Sequence, residues 1–198
     1  MAPTIAPAHR LDELHELAPE KRSGATLRAI MAHRPKTSAA RTALIEALEG
    51  EGTLSPRLIE LIRLRITFWT QCRSCAAMRF LPEEELSEGL VCSLERPSDA
   101  PELTDGERAV MRFVDLYAAD NLALDSLVYD GLREYFNEGE LVEIGAWCAE
   151  FYGWGRLVAT WRIWDDLPES FRLAEGERIT PWGHDDALRL PRTATVVR

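Results

Sequence analysis

The sequence predicts an all-α fold. Apolar residues recur at three- and four-residue spacing along most of the chain, and no run alternates apolar and polar residues as a half-buried strand would. Helix-start signals stand in front of several of these runs: Ser55-Pro56 is a cap followed by proline, and Thr104-Asp105-Gly106-Glu107 is a capping box. No Asn-Gly pair marks a hairpin.

Taken in order, residues 1–9 are rich in Ala and Pro and read as a mobile lead-in. Leu11, Leu14 and Leu17 suggest a short helix stopping before Pro19. Ser23-Gly24 precedes a helix carrying Leu27, Ile30 and Met31, which stops before Pro35. Thr37 or Ser38 caps the next helix, with Ala40, Leu44, Ile45 and Leu48 inward and Gly50 as terminator. The helix after Ser55-Pro56 carries Leu58, Ile59, Leu61, Ile62, Leu64, Ile66, Phe68 and Trp69. It is apolar nearly all round, so it belongs at the centre of the domain. Leu81-Pro82 and Glu83-Glu84-Glu85 read as a loop before a short helix, and residues 95–103 as a Pro-punctuated connection. The capping box opens a helix to about Ala119, and another runs from Ser126 to Phe136. The last helix starts at Asn137-Glu138 and reaches about Trp164, roughly 40 Å if unbroken. Beyond Pro168 the chain reads as an irregular arm through Trp182-Gly183-His184. The expected organisation is an N-terminal segment (1–23), one helical domain (24–167) and a C-terminal extension (168–198).

A chain of 198 residues, 46% hydrophobic and 28% charged, has the composition of a folded soluble domain with its own core. No stretch approaches the apolar length of a membrane helix, and Met1–Arg10 lacks the basic start and apolar run of a secretory signal. The expected compartment is the cytosol, where thiols stay reduced. A formal charge of −10 argues against nucleic acid as partner. Neither a membrane partner nor a cofactor is expected. Cys72, Cys75, Cys92 and Cys148 are too few and too scattered for a disulfide framework.

Cys72-Arg73-Ser74-Cys75 is the segment that carries chemistry. A C-x-x-C pair either cycles through a disulfide or supplies half of a zinc site, and both uses need the thiolate. Zinc wants four ligands; no second C-x-x-C or H-x-x-x-H is present, and Cys92 or His33 would have to be folded in, so no metal is expected. On a helix beginning near Cys72, Cys72, Cys75 and Arg79 share a face, and both the arginine cation and the helix N-terminus would favour the Cys75 thiolate. Glu60 precedes Cys72 by twelve residues. One straight helix would hold the two about 18 Å apart, so they meet only if the chain turns, and Thr70-Gln71 is the candidate break. With that turn Glu60 faces Cys75 and Arg79; the plainer alternative has it pairing with Arg63 or Arg34 at a surface.

Glu60, eleven intervening residues, Cys72-x-x-Cys75 and a fixed position at 79 resemble the signature of the AhpD-like alkylhydroperoxidase branch of the carboxymuconolactone decarboxylase family. The flanking segments SPRLIELIRLRIT, LTDGERAVMRFVDLYA and LREYFNEGELVEIGAWCAEFYGWGRL are similar to that family's helices, so the resemblance spans residues 24–165. It implies a peroxidatic Cys75, a resolving Cys72 and Glu60 as the acid of a proton relay. It further implies a small-molecule peroxide as substrate, a thiol reductant as partner and a homo-oligomeric assembly. The family's usual histidine four residues after the second cysteine is Arg79 here. Arginine stays charged and cannot pass a proton on. The expectation is therefore an altered site in which Arg79 stabilises the thiolate, polarises peroxide or pairs with Glu60, and water or Cys72 supplies the proton. The alternatives are a lactone-decarboxylating, non-redox enzyme of the same fold, or a redox sensor or oligomeric scaffold without turnover.

Other residues read more plainly. Trp147, Trp154 and Trp161 recur every seven residues, with Trp164 one turn on, as a core stripe or helix seam. Gly145, Gly153 and Gly155 in the same helix suggest close approach of a neighbouring helix or subunit. The arm after Pro168 is a candidate clasp between subunits. Cys148 reads as a buried small hydrophobe.

Overall fold

The computed structural model describes residues 2–10, 14–172 and 177–190. Eight α-helices carry the fold: α1 (Pro19–Met31), α2 (Pro35–Glu51), α3 (Pro56–Thr70), α4 (Arg73–Ala76), α5 (Glu88–Ser93), α6 (Asp105–Ala119), α7 (Ser126–Arg133) and α8 (Glu138–Trp161). Two-residue strands β1 (Met78–Arg79) and β2 (Leu188–Arg189) pair in parallel, Met78 with Leu188 and Arg79 with Arg189. Among the described residues, no helix is long and apolar enough to cross a membrane.

As expected, α3 lies at the centre. Leu61, Ile62, Leu64 and Ile66 are buried in it, and it packs against α6 and α8. It also buries charge. Arg65 donates two bonds to Asp115 (2.6 and 2.9 Å) and one to the Leu94 carbonyl, so the mostly buried guanidinium is matched by a carboxylate and a carbonyl. Its start follows the sequence signal: the Ser55 hydroxyl accepts from Leu58 N–H, and Pro56 occupies the first turn. The capping box of Thr104 and Glu107 forms, and Asn137 and Glu140 form a second one at the start of α8.

The helix carrying Leu27, Ile30 and Met31 does stop before Pro35, as expected, but the starts of the first helices are corrected: Pro19 and Pro35 each sit in the first turn of the next helix, where the missing N–H costs nothing. Helix α1 therefore includes Ser23-Gly24, and α2 begins before Thr37 and Ser38, with Arg34 at its cap, and runs past Gly50 to Gly52. Of the short helix expected over Leu11, Leu14 and Leu17, Leu11 lies outside the described residues and Leu14–Glu16 forms one 3-10 turn. Leu44 faces solvent, whereas Ile45 and Leu48 lean on the core.

The described residues of the arm after Pro168 pack on their own chain. Trp182 stacks on Phe68 with ring centres 5.3 Å apart, Phe171 is buried, and β2 pairs with β1. Gly155 brings α8 against the end of α3: a Cβ there would stand 3.0 Å from Thr70 Oγ1. Gly145 and Gly153 have open space instead.

Candidate functional site around Cys72 and Cys75

The chain turns where the change of pattern at Thr70-Gln71 suggests. Helix α3 ends on Gln71, which adopts the left-handed conformation (φ 57°). That conformation is uncommon for a residue with a side chain. Here the Gln71 amide is held on both sides: Nε2 donates to the Phe68 and Ile179 carbonyls (2.6 and 3.0 Å), and Oε1 accepts from Ile179 N–H at 2.8 Å. The arm thus fixes the turn that reverses the chain into Cys72.

Cys72 caps α4, and its sulfur lies 3.4 Å from Cys75 N. The two cysteines form a disulfide, with Cα atoms 5.2 Å apart. Cys72 is fully buried, packed with Ile30, Val158, Trp161 and Ile163. Cys75 is half-buried and lines a cavity of about 290 Å³, near the lower end of small-molecule pockets. Arg63, Phe80, Trp147, Glu150 and Trp154 line the same cavity, on a largely apolar wall that includes Leu27, Ile45, Phe151 and Val158. The tryptophan stripe is thus core at Trp147 and Trp161 and cavity wall at Trp147 and Trp154.

Helix α4 is a single turn, so Arg79 does not share a helical face with Cys75; it stands on β1. The expected role of Arg79 at the sulfur fails for a reason that can be counted. A guanidinium has five N–H donors. Nε and Nη2 donate to the two carboxylate oxygens of Glu88 (2.9 and 3.1 Å). Nη1 donates to the Ala76 and Met78 carbonyls, and Nη2 also to Pro181 O at 2.6 Å. None remains for a thiolate or a peroxide. Arg79 is 0% exposed, does not line the cavity, and does not pair with Glu60. Burial pulls its pKa below the usual arginine value, against the pull of Glu88.

Arg63 stands where Arg79 was expected. Its Nη1 donates to the carbonyl of Cys75 at 2.7 Å and its Nη2 to that of Met78 at 2.7 Å. Nε and Nη2 grip both oxygens of Glu60 at 2.7 and 2.6 Å. Glu60 also accepts from Phe80 N–H at 3.0 Å, and it is only 3% exposed. Both sequence readings of Glu60 were therefore half right: its partner is Arg63, but in the interior beside the cysteines and not at a surface. Four of the five Arg63 donors are engaged, and the guanidinium borders the cavity with Cys75. It is the cation nearest in kind to what a Cys75 thiolate would need. One signal for it was present, an arginine three residues after Glu60 on the helix expected to be buried.

No histidine lines the cavity. His33 Nε2 lies 3.0 Å from Ala6 O, and His184 stacks against Phe171. Among the described residues, no group of three or more His, Cys, Asp and Glu could hold a metal ion. Cys148 is buried, and that burial pushes its thiol up to about 12, whereas Cys92 is exposed.

No protein-family model and no curated protein matches the sequence. Solved structures do match the fold. A protein of unknown function from Agrobacterium tumefaciens, named as a candidate antioxidant defence protein AhpD, superposes with a TM-score of 0.57 at 23% identity, over 67% of this chain and 92% of that one. The alkylhydroperoxidase AhpD core of an uncharacterised peroxidase-related protein from Ralstonia eutropha superposes with a TM-score of 0.55 at 20% identity, over 84% and 94%. The alignments cover nearly the whole of each neighbour, so this chain has their AhpD-like, mostly helical fold.

Proposed function

We propose that the protein is a thiol peroxidase of the alkylhydroperoxidase type, with Cys75 as attacking and Cys72 as resolving sulfur. The observation that supports this best is the asymmetry of the pair: Cys75 opens on a cavity beside the Arg63 cation, while its disulfide partner Cys72 is wholly buried. The Cys75 thiolate attacks a peroxide oxygen and becomes a sulfenic acid as the O–O bond breaks. Cys72 then displaces water and closes the disulfide, which a thiol reductant from solution reopens. Arg63 favours the thiolate, and Glu60 orients Arg63. Arg79 holds the loop. A cysteine pair close enough to join supports redox chemistry over lactone decarboxylation, for which a sulfur pair is unnecessary. A homo-oligomer in a reducing compartment belongs to the same reading.

The test is turnover of an organic hydroperoxide with an artificial dithiol as reductant. Cys75→Ser is expected to fall to the background rate. Cys72→Ser is expected to accumulate a sulfenic acid at Cys75 that dimedone traps. Wild-type turnover by Cys75→Ser refutes the assignment.

A further inference from the structure

The cavity beside Cys75 is long and narrow. Trp147, Glu150, Phe151, Trp154, Gly155 and Val158 line it, at spacings of three and four residues that put them on one face of α8. The stripe begins at the cysteines: Val158 belongs to the buried cluster that holds Cys72 and against which Cys75 packs. Trp147 precedes Val158 by eleven residues, about 16 Å along the helix axis. A volume of about 290 Å³ drawn out over about 16 Å leaves a mean cross-section of about 18 Å². That is close to the girth of one extended hydrocarbon chain. Leu27 of α1, Ile45 of α2 and Leu190 of the arm add to the apolar wall.

Both arginines of the wall are already matched. Arg41 Nη2 pairs with the Glu150 carboxylate at 2.5 Å and its guanidinium covers the Trp154 ring, while Arg63 is paired with Glu60. Glu20 adds a further negative group to the lining. Outside these ion pairs, and among the described residues, one buried polar side-chain atom of the wall lacks a hydrogen-bond partner: Trp147 Nε1, on a side chain 1% exposed. Such atoms are rare in native interiors and ask for an explanation. An indole N–H can only donate, so what it lacks is an acceptor. The end of the cavity away from the cysteines therefore suits an oxygen that carries no charge. A carboxylate there would enter beside Glu150 and Glu20 with no arginine left to meet it.

Building on the proposed peroxidase reading, we propose that the substrate is a linear hydroperoxide of about ten carbons, with the peroxide at one end and a neutral carbonyl-type oxygen at the other. The chain lies along α8, the peroxide meets Cys75, and Trp147 Nε1–H holds the distal oxygen. The length follows from the cavity. An extended chain advances about 1.2 Å per bond, so nine bonds span about 11 Å. The contact with sulfur and the hydrogen bond to the indole take about 3 Å each, which together fill the distance from Val158 to Trp147. The chemistry at sulfur balances as before: Cys75 S⁻ takes the outer oxygen, the O–O electron pair leaves on the inner one, and that oxygen takes a proton from water to give an alcohol.

The test uses probes with one reacting end: 1-butyl hydroperoxide, 1-decyl hydroperoxide and methyl 10-hydroperoxydecanoate. Each is mixed with reduced protein, and thiol loss is followed in a single turnover to give a second-order rate constant. Because the peroxide is the same primary group throughout, rate differences report the rest of the chain. A buried methylene is worth about fourfold, so the decyl probe is expected to outpace the butyl probe about 100-fold or more. Trp147→Phe is expected to slow the methyl ester about 10-fold relative to the decyl probe, the upper range for one hydrogen bond. A loss of packing alone would slow both long probes equally. An unchanged ratio of ester to decyl rates in Trp147→Phe, or a butyl probe that keeps pace with the decyl one, overturns the proposal while leaving the thiol peroxidase standing. Wild-type protein that keeps both thiols with all three probes overturns the peroxidase reading itself. If Trp147→Phe does not fold, the wild type carries the test through the chain-length comparison and through 10-hydroperoxydecanoic acid. The free acid is expected to react about 10-fold more slowly than its methyl ester, and an acid that reacts faster overturns the proposal.

Discussion

Replacing Arg79 with alanine separates a structural arginine from a catalytic one. In the structure Arg79 is fully buried and gives all five donors, two to Glu88 and three to the carbonyls of Ala76, Met78 and Pro181. Alanine takes one of the two arginines from the Glu88 carboxylate, leaving Arg189 Nη2 at 3.0 Å, and leaves three carbonyls short of a donor. Removing one member of a buried ion pair costs about 3–5 kcal/mol. The Glu88 side chain is 24% exposed, so water compensates part of that loss, while the stranded Pro181 and Ala76 carbonyls add to it. A net loss of about 3–5 kcal/mol lowers the melting temperature of a domain this size by about 6–20 °C. Thermal melts followed by circular dichroism measure this. Alkylation of Cys75 in the reduced protein, read by mass spectrometry against pH, measures the thiolate. The expected result is a large fall in melting temperature with Cys75 reactivity within about 3-fold of wild type, whereas Arg63→Ala depresses reactivity about 10-fold or more, because it removes the cation that lines the cavity with Cys75. An Arg79→Ala protein that melts like wild type but alkylates far more slowly would refute the reasoning. By the same logic Arg79→His behaves as a destabilised variant and not as a restored proton relay.

Two further outcomes follow from packing and burial. Gly155→Ala gains helix propensity but drives a methyl to 3.0 Å from Thr70 Oγ1, so a net loss of about 1–2 kcal/mol in urea denaturation is expected; in the Thr70→Ala background the same change should turn neutral or stabilising, and a purely additive pair contradicts the contact. Burial holds the Cys148 thiol protonated up to about 12, above its unfolded value near 9, so the native state keeps a proton that the unfolded chain gives up. That stabilisation is complete below pH 9 and is lost as pH rises towards 12, about 2 kcal/mol of it between pH 8 and 10.5. Urea curves at those two pH values should show the loss in wild type and much less of it in Cys148→Ala; identical losses contradict it.

Local rules were legible wherever local chemistry decides the outcome. Ser55, Thr104 and Asn137 cap the helices that their sequences announce, and the break at Thr70-Gln71 is where the chain reverses. Proline misled twice, because Pro19 and Pro35 end one segment and open the next, and the first effect is easier to read than the second. The candidate site was legible as a cysteine pair, and Glu60 is linked to its backbone through Arg63. It was illegible in its cation. Arg63 and Arg79 are both arginines near the pair, and which one meets Cys75 depends on the length of α4, a single turn, and on Glu88 and Pro181, brought to Arg79 by tertiary packing. Trp147 could be seen as a helix residue, but the unmet hydrogen bond of its Nε1 exists only once a cavity has walls. The arm has no period to read, so its return to β1 and Gln71 had no sequence signal.

The grip of Arg63 on two successive carbonyls has a kinetic consequence. Cys75 O and Met78 O are held at 2.7 Å each by one guanidinium, itself locked by Glu60, so the backbone carrying Cys75 is fixed by bonds that do not involve sulfur. When the S–S bond opens, the two cysteines keep their places, and little chain entropy is released. A thiol that stays beside its former partner meets it at an effective concentration far above that of any free thiol in solution, up to about 10⁵ M for well-oriented groups. Closing the ring again is then a local event, and a mixed disulfide with a passing monothiol is short-lived. For the thiol cycle proposed above, a reductant that delivers two thiols together would have the advantage, because its second sulfur competes on equal terms with Cys72.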